Sequence, residues 1–316
     1  MTSSPASSSG FVPERPTPTR PTPMSPLSAQ VVTSIGDLEL VARLVVEGMR
    51  AGRHRSPLLG FSAEFSRHRP YQPGDDLKHL DWKLLARTDR LYTRRFHERT
   101  NLSLMLVVDS SASMDFPEGE ATKLRSAVVL AAALAHLVST GGDSVGLTTR
   151  HAGEPLHLPA RGGRPHLRAL LARLDRLEPA GTFDTPAMIE RAANVLRRPG
   201  LLLLISDLYD DEEAIRSALA RAVRRGHDVA VLHLLDPAER ELALEGELLF
   251  EDAETGERRI VDTRTAAPRY GADLEAFLER TRDAARREGI DLHPAWTDTP
   301  PSTLLRSFLL ARRGAG

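Results

Sequence analysis

The segment from Leu102 to Ser113, LSLMLVVDSSAS, constrains this chain more than any other. Five apolar residues in a row, Leu104 to Val108, end abruptly in an acid and a group of small hydroxyls. An unbroken apolar run, rather than an alternating one, is the pattern of a strand covered on both faces in a parallel sheet. At the carboxyl edge of such a sheet the loops collect the polar groups that bind ligands. Here that edge carries Asp109, Ser111 and Ser113 in a D-x-S-x-S spacing. One carboxylate and two hydroxyls are hard oxygen donors, suited to a small hard cation such as Mg²⁺, which takes about six oxygens near 2.0–2.1 Å. The competing reading is a strand-end turn whose Asp and Ser cap the next helix.

The chain beyond this segment supplies what a buried parallel strand requires. An apolar helix is expected over 122–139, a strand over 144–149, an antiparallel edge strand over 155–159 and a leucine-striped helix over 165–177. A loop of small and hydroxyl residues, Ala180 to Thr185, precedes a helix over 186–198. The buried run Leu201 to Ile205 ends in Ser206-Asp207, and helix 212–225 leads to strand 228–235. Residues 238–268 break the alternation with a hairpin signal, Glu247 to Glu251 and Arg258 to Asp262 around Ala253-Glu254-Thr255-Gly256. Helix 272–288, strand 290–295 and helix 301–312 follow. The expectation is an α/β fold with a doubly wound, mostly parallel sheet over 101–316, carrying a small β-hairpin insertion.

Upstream, residues 1–28 are dominated by Pro, Ser and Thr and cannot bury enough apolar surface to offset ordering entropy, so a disordered tail is expected. Residues 29–100 begin with an amphipathic helix in which Leu38, Leu40, Val41, Leu44, Val45 and Met49 recur at helical spacing, with Gly52 as a stop. A basic, aromatic segment follows, turned at Pro70, Pro73 and Gly74, and Leu91 to Glu98 reads as an extra strand leading into the central one. Arg43 to Arg99 holds 13 Lys and Arg against 7 Asp and Glu. That surplus suits either a solvated face or a docking surface in which Asp75, Asp76 and Asp81 hold arginines around Tyr71 and Trp82. Nucleic-acid binding through this stretch would show as affinity falling steeply with salt.

Composition removes several classes. The 316 residues contain no cysteine, which excludes disulfides, thiolate metal sites and a Cys nucleophile. A net charge of -1 argues against a protein that coats nucleic acid. No apolar run approaches the roughly 18–20 residues of a bilayer span, and the N-terminus lacks the pattern of a signal peptide, so a cytoplasmic protein is expected. There is no G-x-S-x-G elbow, Walker A sequence or paired-glycine dinucleotide turn, and the eleven histidines form no H-x-x-x-H pair. A metal-dependent phosphohydrolase or nuclease using Asp109, Asp184 and Asp207 is the alternative reading. It lacks an evident base to activate water.

Three pieces in chain order, Asp109-x-Ser111-x-Ser113, Thr182 in a Gly-Thr loop, and Asp207 after LLLLIS, resemble the metal-ion-dependent adhesion site (MIDAS) of von Willebrand factor type A domains. The resemblance implies Ser111, Ser113 and Thr182 as direct hydroxyl ligands of Mg²⁺, Mn²⁺ or Ca²⁺. Asp109 and Asp207 would bind directly or through water, and an acidic residue of a partner would complete the octahedron. Thr185 contests the threonine role, and Thr182 is favoured because it directly follows Gly181. Two departures stand out: Ala180-Gly181-Thr182 replaces the common Gly-Gly-Thr, and Leu208 follows Asp207 where Gly is frequent.

The preceding stretch, with PYQPGDD, Leu80-Asp81-Trp82 and Ala86-Arg87-Thr88, is similar to the bacterial domain-of-unknown-function family 58. That resemblance covers all but the tail. It implies a non-enzymatic adaptor working with a MoxR-type AAA+ ATPase in chaperone-like maturation or assembly of other complexes, with Tyr71, Asp75, Asp76, Asp81, Trp82 and Arg87 as candidate partner-binding residues.

Overall fold

The apolar run lies at the middle of a six-stranded sheet in the computed structural model. Apart from Ser28, the structure describes residues 36–51, 68–70, 92–94, 102–117, 119, 121–240, 246–251 and 258–314. The expected tail and nearly all of the basic segment, including Tyr71, Asp75, Asp76, Asp81, Trp82 and Arg87, lie outside the described residues.

Helix α1, Leu38–Ala51, comes first. Strands β1, His68–Pro70, and β2, Tyr92–Arg94, pair antiparallel with each other in a separate two-stranded sheet. The extra strand expected before the centre therefore does not join the main sheet, and Pro70, expected in a turn, ends β1. Next come β3, Ser103–Val108, and helix α2, Lys123–Thr140, then strands β4, Ser144–His151, and β5, Glu154–Arg161. Helices α3, Arg164–Leu174, and α4, Thr185–Val195, lead to β6, Leu201–Ser206. Then follow α5, Glu212–Arg224, β7, Asp228–Leu235, and a single helical turn α6, Pro237–Arg240. Strands β8, Glu247–Glu251, and β9, Arg258–Asp262, form the expected hairpin. The chain finishes with α7, Thr263–Arg287, β10, Ile290–Trp296, and α8, Pro301–Gly314.

The sheet order is β10-β7-β6-β3-β4-β5, parallel throughout except for the antiparallel edge pair β4-β5. The pleat sends successive side chains of β3 to opposite faces, and two cores result. Leu104, Leu106 and Val108 pack with α1, α2, α3 and α8, while Met105 and Val107 pack with α4, α5 and Ala285 of α7. Every residue from Leu104 to Val108 is fully buried, which explains why the strand has no polar alternation.

Helix α1 is not an outlying arm. Val41, Ala42, Val45, Val46 and Met49 are buried in the same core as the sheet, against α2. By length and composition alone α2 could cross a membrane, which departs from the expectation that no apolar run approaches a span. Most of it is buried within the protein, because its alanines let it lie close to the strands. Helix α7 starts at Thr263, about three turns before the expected boundary at 272, and so takes residues assigned to the insertion. It runs through Pro268 and Gly271, residues of low helix propensity.

Candidate metal centre

Three loops meet at the carboxyl edge of the sheet, after β3, before α4 and after β6. The Asp109 amide donates to the Ile205 carbonyl at 3.0 Å, extending the β3–β6 ladder one step beyond the strand and fixing where the loop begins. Ala112 donates to the Gly181 carbonyl at 2.9 Å and Ala180 to the Ser110 carbonyl at 3.0 Å, so the first two loops are strapped together through their backbones. Gly181 has φ +55°, a conformation that costs glycine nothing and lets the strap form. The Thr185 amide donates to Asp210 Oδ2 at 3.0 Å and ties the second loop to the third.

Asp109 is 2 % exposed. One of its oxygens accepts from the Ser111 amide at 2.9 Å and the other from Ser206 Oγ at 2.6 Å. Burial, followed by repulsion from Asp207, pushes its carboxyl up to about 6 from the usual 3.8. The hydroxyls of Ser111 and Ser113 are hydrogen-bonded to each other at 3.0 Å. Adjacent ligands of an octahedral ion with about 2.0–2.1 Å bonds are separated by about 2.9 Å, so this pair has the spacing of one octahedron edge. A buried carboxylate whose hydrogen-bond partners among the described residues are neutral, on one loop with two hydroxyls at that spacing, fits a small hard cation. Among the described residues there is no cluster of three or more His, Cys, Asp or Glu side chains able to hold a metal. An ion here would therefore rest mainly on hydroxyls.

Thr182 is exposed in the strapped loop, and its carbonyl accepts from Arg150 Nη1 at 2.9 Å. Thr185 is buried at the first position of α4. Asp184 caps α4, accepting from the Ala187 amide at 3.2 Å, and Asp211 caps α5 through the Ala214 amide at 3.0 Å. Asp115, by contrast, is exposed on a short 3₁₀ turn. Asp184 also has φ +53°, so Asp184→Ala loses the cap and strains the backbone together. A loss of about 1–2 kcal/mol is expected in urea unfolding, with Asp184→Gly losing only a few tenths.

Asp207 is ion-paired with a buried lysine. The ammonium of Lys123 sits 2.7 Å from Asp207 Oδ2 and 2.7 Å from Glu239 Oε1, and Lys123 is 1 % exposed. Burial pulls the lysine pKa down, but the two carboxylates outweigh it and hold the group above its ordinary value. The other Asp207 oxygen accepts from the Tyr209 amide at 3.3 Å, and its carbonyl accepts from the buried His233 Nε2 at 3.0 Å. Burial pushes that imidazole down to about 4, so it is neutral near pH 7. Leu208, where glycine was the expected residue, adopts φ +61°, a left-handed conformation that costs a residue with a Cβ about 1–2 kcal/mol. Phe116 and Tyr209 flank the lysine, with ring centroids 5.7 and 4.8 Å from Nζ, and are 40 % and 48 % exposed at the rim.

Lys123, Glu239, Ser206, His233 and Arg150 were not singled out from sequence. For Lys123 a signal existed: a cation in the first turn of a helix opposes the macrodipole, so it needs a compensating partner.

Residues 67–290, which include the strand-end motif, match the family described as "Protein of unknown function DUF58". This chain belongs to that family. Relatives include uncharacterized protein Rv1480 of Mycobacterium tuberculosis and Mb1516 of Mycobacterium bovis, each 33% identical over 230 residues and covering 72% of both chains. Uncharacterized protein YeaD of Bacillus subtilis is 32% identical over 107 residues, covering 34% of this chain and 24% of YeaD. Solved structures similar to this DUF58 chain include BatB from Bacteroides thetaiotaomicron, at 14% identity and TM-score 0.44, covering 68% of this chain and 100% of that one. The SpRpn10 VWA domain matches at 15% identity and TM-score 0.40, covering 65% and 94%.

Proposed function

We propose that this DUF58 protein is a non-enzymatic, metal-dependent interaction module of the cytoplasm. It would offer a divalent cation at the Asp109 loop to an acidic residue of another protein. The observation that carries this reading is a buried carboxylate that has no cationic partner among the described residues and shares its loop with two hydroxyls 3.0 Å apart, at the edge of the sheet where three loops are tied together. When bound, Mg²⁺ or Mn²⁺ would supply a Lewis-acidic position that a partner carboxylate can fill. The chain's own residues orient it: Ser206 and the Ser111 amide fix the Asp109 carboxylate, and backbone bonds to Ala180 and Gly181 tie the loop that carries Thr182 to the Asp109 loop. Phe116 and Tyr209, exposed at the rim, favour a partner with an apolar side chain next to its acid.

Family resemblance supports a MoxR-type AAA+ ATPase as the working partner in maturation or assembly of other complexes. Purified ATPase should be retained by wild-type protein in Mg²⁺, and lost with EDTA or in Asp109→Ala. Equal capture in all three conditions refutes the metal bridge.

A further inference from the structure

We propose that Lys123 has taken Asp207 out of the coordination sphere, so that a divalent cation at this site is held by Asp109, Ser111 and Ser113 with a single protein carboxylate. The inference rests on the cation-site reading above and specifies its ligand set.

The two carboxylates are in opposite situations. Asp207 is engaged by a cation of the protein: Lys123 Nζ lies 2.7 Å from its Oδ2, and its Oδ1 faces the Tyr209 amide at 3.3 Å. Lys123 cannot swing away cheaply, because it is buried, bridges to Glu239 at 2.7 Å and is enclosed by the Phe116 and Tyr209 rings. A divalent cation sharing Asp207 would stand close to a fixed ammonium, and like charges in a buried site repel strongly. Among the described residues the hydrogen-bond donors to Asp109 are neutral, the Ser111 amide and the Ser206 hydroxyl. The octahedron-edge pair of Ser111 and Ser113 is on the same loop. The cation therefore belongs on the Asp109 side, and its positive charge is only half cancelled by the protein.

Asp207 then has another task. Through Lys123 it joins the start of α2 and the end of β6 to Glu239 in α6, a clasp across three crossovers that holds the rim in shape.

The test is calorimetric titration of the full chain with Mn²⁺ alone. Asp207→Asn, which leaves Lys123 paired with Glu239, should bind Mn²⁺ within about threefold of wild type, since only a charge already compensated by an ammonium is removed. Asp109→Asn should weaken binding by more than about 30-fold. The double variant Ser111→Ala/Ser113→Ala should do the same, and it stands in if Asp109→Asn does not fold. If Asp207→Asn loses as much as Asp109→Asn, the ligand set proposed here is wrong while the cation site stands. If the wild type takes up no Mn²⁺, the cation-site reading falls, and this inference with it.

Discussion

Replacing Lys123 with alanine is expected to destabilise the protein by about 3–5 kcal/mol, the cost of leaving buried charge without its partner. The ammonium is the sole cation among the described contacts of Asp207 and also serves Glu239, both at 2.7 Å. Without it, two carboxylates at the carboxyl edge of the sheet face each other across a space lined by Phe116 and Tyr209. The loss lies in the orphaned acids rather than in the missing methylenes. A triple variant, Lys123→Ala with Asp207→Asn and Glu239→Gln, should therefore recover a large part of the stability lost by the single change. Urea unfolding of the single and triple variants measures both effects. A single-variant loss below about 1 kcal/mol, the level of an exposed ion pair, would mean that solvent reaches the clasp.

The second large effect is on pH dependence. The Asp109 carboxyl is raised from 3.8 to about 6 in the fold, mainly by burial and then by Asp207. The folded chain holds this proton more tightly than the unfolded chain. Its contribution to stability is complete below about pH 4 and is lost as pH rises through about 6, a swing of roughly 3 kcal/mol at 1.36 kcal/mol per unit. In EDTA, wild-type protein should thus lose stability between pH 4 and 7, relative to Asp109→Asn, which lacks the titrating group. Adding Mn²⁺ at pH 7.5 should return the lost stability to wild type and not to the variant. Parallel pH profiles in EDTA would show that Asp109 is better solvated than its surroundings indicate.

Lys123→Ala and Asp109→Asn probe opposite halves of one edge. The first removes a charge the fold has balanced, and the second removes a charge it has left open. A cation added from solvent can rescue only the open half, which separates the structural clasp from the candidate binding position.

Much of the fold was legible in the chain because its strands are buried on both faces. Runs such as Leu104 to Val108 and Leu201 to Ile205 have no polar alternation to confuse them. Two boundaries escaped. Helix α7 runs through Pro268 and Gly271, where local propensity argues against a helix and its packing beside β10 holds it. Strand β2 found its partner in β1, not in the central sheet, because pairing is chosen between distant segments and leaves little trace in either.

At the site, the sequence alone determined which residue types stand at the strand ends, since a buried strand must finish where its polar residues begin: Asp109, Ser111 and Ser113 after β3, and Asp207 after β6. The tertiary structure decided how the acids are divided. Lys123 is 84 residues from Asp207 and 116 from Glu239, and no local pattern encodes that meeting. Charge compensation at such range depends on which crossovers end side by side, and the packing of helices on the sheet fixes that.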